Sequence, residues 1–305
     1  MKVAVILNAA AGSSQPEKGA NAPDRVRELF AALDCEAVIY VADGETIVST
    51  VRRALDSGVD AVVAGGGDGT ISSVVRGLIG RETPLGVLPL GTLNHFAKDA
   101  GIPFALEDAV RTVVMGVATP IDLAEVNGVP FINNSSVGAY TALVQARDAL
   151  QKQTGQGKWS AMLRAGLRVF RRFRVLHVRL EVDGAPIRRR TPIVFVGNNE
   201  YQMELFKQGS RAKLDSGHLS LYIANSDSRW RMIRLFCRFV VGRLEQTRDF
   251  ESRVATEVWI EHRRRSLHVS VDGEVFRLVP PLHYRIRPLA LKVILPLAAP
   301  PAEQR

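Results

Sequence analysis

Residues 64–70 read Ala-Gly-Gly-Gly-Asp-Gly-Thr, four glycines set around one carboxylate. Glycine adopts backbone conformations closed to other residues and lets a ligand approach the chain closely. A glycine-rich turn that opens a helix offers free N–H groups and the positive end of the helix dipole, which together hold phosphate. No Gly-Lys-Ser/Thr follows, so this is not a Walker loop, and it is not the usual dinucleotide GxGxxG either. Asp68 beside a phosphate would repel it unless a metal lies between them or the acid handles a proton, and Mg²⁺ bridging is the ordinary solution. The competing reading is a tight turn in which Asp68 caps a helix. Four glycines between a strand and a helix favour phosphate.

Two further loops of small residues belong with it: Asn8-Ala9-Ala10-Ala11-Gly12 and Pro89-Leu90-Gly91-Thr92-Leu93-Asn94. In open parallel sheets ligands bind beyond the carboxyl ends of the strands, and all three loops follow strands, so together they indicate a nucleotide site. Asp272-Gly273-Glu274 also carries acid, but by residue type alone a hairpin turn outweighs a catalytic base. His95 reads as a cap or surface residue, and no histidine set has zinc spacing. The clusters Arg188–Arg190 and Arg263–Arg265 come without any nucleic-acid-binding pattern. Solvated strand ends or attraction to lipid headgroups account for them.

The elements that position these residues divide into two styles. Short apolar strands at Lys2–Leu7, Val38–Val41, Asp60–Ala64 and Leu85–Leu88 alternate with amphipathic helices at Pro23–Leu33, from Ile47 to Leu55 and from Ile71 to Leu78. That pattern implies a parallel sheet covered on both faces. After Ile121-Asp122 the pattern becomes polar/apolar alternation at Leu176–Val182, Ile187–Val196, Leu219–Ile223 and Leu267–Val271, with Asp183-Gly184 as a hairpin turn. The expected fold is a parallel α/β nucleotide-binding domain (1–122), then a β-rich, sandwich-like domain (123–288), with 289–305 as a C-terminal segment returning to the first domain. Two helices, Trp159–Phe173 and Ser228–Gly242, interrupt the second part. The first is basic and aromatic; it fits either the edge of a bilayer or an ordinary buried face.

The 305 residues suffice for two domains with buried cores. Two cysteines, Cys35 and Cys237, exclude a disulfide framework and fit a reducing cytoplasm. No apolar run reaches the ~20 residues that span a bilayer, so membrane contact is expected to be peripheral. A net charge of +9 favours nucleotides, nucleic acid or an anionic membrane surface without choosing among them.

The run GGGDGT followed by PLGTLNHFAKD resembles the catalytic domain shared by soluble bacterial diacylglycerol kinases, eukaryotic diacylglycerol kinases and sphingosine kinases. Asn8–Gly12, Ile121-Asp122-Leu123, Val196-Gly197-Asn198-Asn199 and Val271-Asp272-Gly273-Glu274 extend the resemblance in the family's order over nearly the whole chain. GGDGT alone is also similar to NAD kinases and phosphofructokinases. The resemblance implies an ATP- and Mg²⁺-dependent kinase acting on a hydroxyl of a diacylglycerol-like or sphingoid lipid, with no nucleic acid partner and the homodimer state left open. It implies that Asn8, Ala9, Ala10, Ala11, Gly12, Gly65, Gly66, Gly67, Asp68, Gly69, Thr70, Gly91, Thr92 and Asn94 hold the nucleotide. Asp68 and Asp122 would order Mg²⁺, and Glu274, supported by Asp272, would be the general base; the sphingosine-kinase branch gives that role to the glycine-loop acid, here Asp68. His95 stands where the family often has Asp. Asp215-Ser216-Gly217 replaces an Asp-Asp-Gly turn that binds a structural Mg²⁺ in relatives, which leaves Asp215 as that site's remaining ligand. Val41 stands where the family has a threonine near the adenine. The rivals are an NAD kinase-like enzyme and a catalytically weak lipid-binding protein.

Overall fold

A computed structural model describes residues 1–9, 22–138, 141, 175–200, 213–224 and 250–297. Ala10, Ala11, Gly12, both helices expected in the second part, Cys237 and the tail from residue 298 lie outside the described residues. The chain divides into two units, Met1–Leu123 with Pro288–Arg305, and Ala124–Arg287.

The first unit alternates β1 (Lys2–Asn8), α1 (Ala22–Ala31), β2 (Glu36–Ala42), α2 (Ile47–Leu55), β3 (Ala61–Gly66), α3 (Asp68–Leu78) and β4 (Leu85–Pro89). The strands lie in the order β2-β1-β3-β4, all parallel. Every residue of β3 is buried, as expected of a strand covered on both faces. Val3, Val5, Leu7, Val63 and Leu88 of the sheet pack with Val26 and Phe30 of α1. After β4 come α4 (His95–Asp99) and α5 (Leu106–Met115), and β5 (Val117–Val126) leads into the second unit. The sequence reading did not see α4, α5 or β5. Helix α3 begins at Asp68, ahead of the apolar period at Ile71, because the glycine turn itself supplies its first residues.

The second unit contains β6 (Val129–Phe131), β7 (Asn134–Gly138), β8 (Leu176–Val182), β9 (Ala185–Thr191), β10 (Ile193–Asn198), β11 (Leu219–Ala224), β12 (Phe250–Ala255), β13 (Glu257–Glu261), β14 (Leu267–Val271), β15 (Glu274–Leu278) and the start of β16 (Leu282–Leu295). One sheet runs β12-β11-β10-β7-β14-β15, antiparallel throughout. In the other, β16, β13, β8 and β9 pair antiparallel. Strand β8 alternates buried and exposed residues along its whole length, the signature of a sheet with one wet face. Val137, Val194, Leu221, Val269 and Val271 of one sheet share a core with Val178, Leu180, Val258, Ile260 and Tyr284 of the other. This is the antiparallel, sandwich-like unit the alternation predicted. The end of β16 belongs to the first unit, where Val293 pairs parallel with Leu85 of β4.

Candidate functional site

In the first unit the ends of β1, β3 and β4 carry the three small-residue loops. Asn8 closes β1, and its Nδ2 donates to Thr70 Oγ1 at 2.9 Å. Thr70 lies against Gly66, where a Cβ would stand 2.6 Å from the Thr70 Cβ. Gly65 is equally confined, by the Leu7 side chain. The turns after β3 and β4 touch backbone to backbone: a Cβ on Gly91 would overlap the Gly67 Cα, and the Leu90 N–H donates to the Gly66 carbonyl at 3.1 Å. Gly69 differs, since a Cβ there would meet nothing within 4 Å. Open space therefore lies over the first turn of α3, and Gly67 caps that helix without a side-chain hydrogen bond. Helix N-terminal N–H groups without such a cap suit an anion.

Asp68 faces the second loop. Its Oδ2 accepts from the His95 N–H at 3.1 Å and its Oδ1 from the Phe96 N–H at 3.0 Å. It thus does cap a helix, but the helix is α4, 27 residues further on, not α3. Asn94, at φ +48°, closes its own loop. Its Oδ1 accepts from the Gly91 N–H at 3.1 Å, and its Nδ2 donates to the carbonyls of Pro89 (3.1 Å) and Gly91 (2.8 Å). Thr92 and the His95 side chain are exposed, while Asp122 is buried and accepts from the Leu289 N–H at 2.9 Å.

The second unit gathers the remaining motifs. Asp272 (φ +46°) and Gly273 (φ +83°) form a two-residue hairpin turn that pairs Val271 with Glu274. The Asp272 carboxylate accepts three backbone amides, from Ile132 (2.9 Å), Asn133 (2.9 Å) and Asn134 (3.0 Å). Asn198 is tied to the same segment, its N–H to the Asn133 carbonyl (3.0 Å) and its Nδ2 to that of Ile132 (3.1 Å). Buried Asn199 then takes the Ser216 N–H (3.0 Å) and Oγ (2.8 Å) on its Oδ1, and its carbonyl accepts from Ser220 Oγ at 2.7 Å. The segments around 196–199 and 271–274 therefore converge on residues 132–134, and the segment 215–217 joins them through Asn199. Sequence reasoning passed over that last segment, whose one visible signal was the pair Asn133-Asn134. Glu274 is half-buried at the turn, and Asp215 is exposed. Below the segment, Ser135 Oγ and the Tyr284 hydroxyl lie 3.1 Å apart, and burial pushes the Tyr284 phenol well above its ordinary range.

The diacylglycerol kinase catalytic domain model matches residues 2–126, and the YegS C-terminal NAD kinase beta sandwich-like domain model matches residues 136–295. A diacylglycerol kinase of Bacillus subtilis is 30% identical over 227 residues, 72% of this chain and 73% of that protein. An uncharacterised Synechocystis protein is 24% identical over 274 residues, 86% of this chain but only 62% of its own length. A solved structure from Bacillus anthracis, assigned to the diacylglycerol kinases, superposes with a TM-score of 0.73 at 23% identity and covers 98% of each chain. At that identity the superposition speaks for the fold alone.

Proposed function

The chain belongs to the diacylglycerol kinase catalytic-domain family with a YegS-type second domain, and we propose that it transfers the γ-phosphate of ATP to a hydroxyl of a diacylglycerol-like or sphingoid lipid. The observation that carries this reading is the contact between the Gly67 and Gly91 turns beside the open N-terminus of α3. It leaves no room for a Cβ on Gly91, while the space over Gly69 stays open beside helix-terminal N–H groups, a cradle that fits a nucleotide's phosphates. Asn8 and Thr70 hold one wall of it and Asn94 the other.

Mg²⁺, when bound, supplies charge neutralisation for the phosphates. It needs few protein ligands, because it keeps several waters and takes one or two carboxylates plus phosphate oxygens. Asp68 and Asp122 are the groups that would hold it. Asp68 takes two backbone amides and Asp122 takes that of Leu289, and an ionised carboxylate has about four acceptor sites. Among the described residues no group of three or more His, Cys, Asp or Glu stands together, which fits phosphate-assisted binding rather than a protein cage. Asp215 would serve a separate, structural ion.

For proton transfer the reading assigns Glu274 as general base and Asp272 as the residue that positions it. A lipid hydroxyl has a high pKa, so attack on phosphorus benefits from a carboxylate that accepts the proton as the bond forms. Asp68, whose two oxygens already take the amides of α4, is better suited to the nucleotide side than to this role. Incubation with labelled ATP and a panel of diacylglycerol, monoacylglycerol and sphingoid acceptors tests the reading, with NAD as the competing acceptor. Label in NAD alone would replace it with the small-molecule kinase reading. Lipid retention without transfer would leave a binding protein.

A further inference from the structure

In the second unit, Leu176, Val178, Leu180 and Val182 of β8 are buried, so His177, Arg179 and Glu181 point outward. The edge strand β9 sets Arg190 directly opposite His177 and Arg188 directly opposite Arg179. In the Arg188–Arg179 pair, like charges directly opposite on one face repel each other and destabilise the free sheet. Arg179 finds Glu261 at 3.8 Å. Arg189, which points the other way, is held by both oxygens of Glu251 at 2.9 and 3.1 Å. Arg188, Arg190, Arg263, Arg264 and Arg265 are exposed, and none of the five has an acidic partner among the described residues.

The turn bearing Arg263–Arg265 joins β13 to β14 and lies beside β8. His262 is held below its ordinary pKa by burial first, then by the positive charges of Arg264 and His177, and its Nδ1 accepts the Arg264 N–H at 3.0 Å. Two arginines on an edge strand would suffice to block pairing with another sheet. Three more in a turn off that edge do nothing for that purpose.

We infer that Arg188, Arg190 and the 263–265 turn form the surface by which this protein docks onto the anionic phospholipid headgroups of a bilayer. The inference rests on the reading of the acceptor as a membrane lipid, and it names the face that would meet that membrane. Arg188, set opposite Arg179, and Arg190 have no carboxylate of their own among the described residues, and phosphates of the headgroup layer lying against them would compensate their charge.

Sedimentation of the full chain with phosphatidylglycerol/phosphatidylcholine vesicles, without ATP, tests the surface. Binding is expected to fall as salt rises and to vanish on pure phosphatidylcholine. Arg188→Ala with Arg190→Ala, both exposed and checked for folding by circular dichroism, is expected to weaken partitioning about fivefold per arginine, roughly 30-fold together. Arg188→Lys with Arg190→Lys should retain it. Wild-type binding by the alanine pair, equal binding to phosphatidylcholine alone, or preference for single-stranded DNA over the anionic vesicles would each overturn the inference. Alanine variants that bind normally but self-associate would reduce the arginines to edge protection. The two readings fail separately. A docking failure leaves phosphorylation of a detergent-dispersed acceptor intact, and a kinase failure leaves the vesicle binding intact.

Discussion

The Phe96 amide donates to Asp68 Oδ1 at 3.0 Å, joining the glycine-rich turn after β3 to the helix that follows β4. With the His95 amide on the other oxygen, the acid in the glycine loop sets the distance between two loops proposed to share one nucleotide. A structural and a ligand-binding role are thus combined in one side chain, and substitution separates them.

Asp68→Ala leaves both α4 amides without their acceptor and is expected to lower stability by about 1–3 kcal/mol in urea titration. Asp68→Asn keeps one acceptor and should lose less. If Asp68 also orders Mg²⁺, calorimetry on the Asn variant will show ATP affinity that no longer rises with added Mg²⁺. Mg²⁺-dependent affinity like that of the wild type would confine Asp68 to capping.

Gly91 and Gly69 make a matched pair. A Cβ on Gly91 would overlap Gly67 and stand 2.7 Å from Asn94 Oδ1, so Gly91→Ala must shift backbone and is expected to cost about 1–3 kcal/mol. Gly69 has free space and a helical position, so Gly69→Ala should leave the unfolding midpoint unchanged or raise it by about 0.5–1 kcal/mol in stability. A drop in ATP affinity for Gly69→Ala, with stability kept, would locate the phosphates over that residue. Unchanged affinity would move them elsewhere.

Asp272 and Glu274 should respond in opposite ways. Asp272→Ala strips the acceptor from three amides and is expected to cost about 3 kcal/mol. Glu274→Gln keeps size and polarity, so its stability should stay within ~0.5 kcal/mol of wild type while lipid phosphorylation falls at least 100-fold. Near-normal turnover in that variant would remove Glu274 from the mechanism.

Acid should loosen the β-rich unit through Glu251. Hydrogen bonding from Arg189, the largest cause, then from Arg253 holds its carboxyl below the ordinary value of 4.5 against the opposing effect of burial. A depressed folded pKa contributes stability that is complete above 4.5 and is lost as pH falls through the lower folded value. Melting temperature measured downward from pH 6 should therefore decline below about pH 4.5, and Glu251→Gln should flatten part of that decline. The pairs are half-exposed, so the contribution is about 1 kcal/mol or less.

Much of this protein was legible locally. The parallel strands and their helices followed from apolar runs and the 3.6-residue period, and β8 from strict alternation. Asp183-Gly184 and Asp272-Gly273 followed from the positive φ that a two-residue hairpin turn requires. The crowded glycines 65, 66, 67 and 91 were also visible as glycines, although only the packing distinguishes them from Gly69. Strand β5 was hidden because its start carries Thr119-Pro120 and no clean alternation, and α4 because five residues are too few for a helical period.

The sequence by itself determined the two styles of chain, the turn geometry and the types of residue able to meet phosphate or a proton. Only the tertiary structure decided that Asp68 caps α4, that residues 132–134 are the anchor for Asp272, and that five arginines face outward without acids among the described residues. The reason is physical. Period, turn conformation and residue chemistry act over a few neighbouring residues and leave a pattern there. The partners of these carboxylates are backbone N–H groups up to 140 residues away, and an amide that every residue but proline possesses leaves no mark in the sequence.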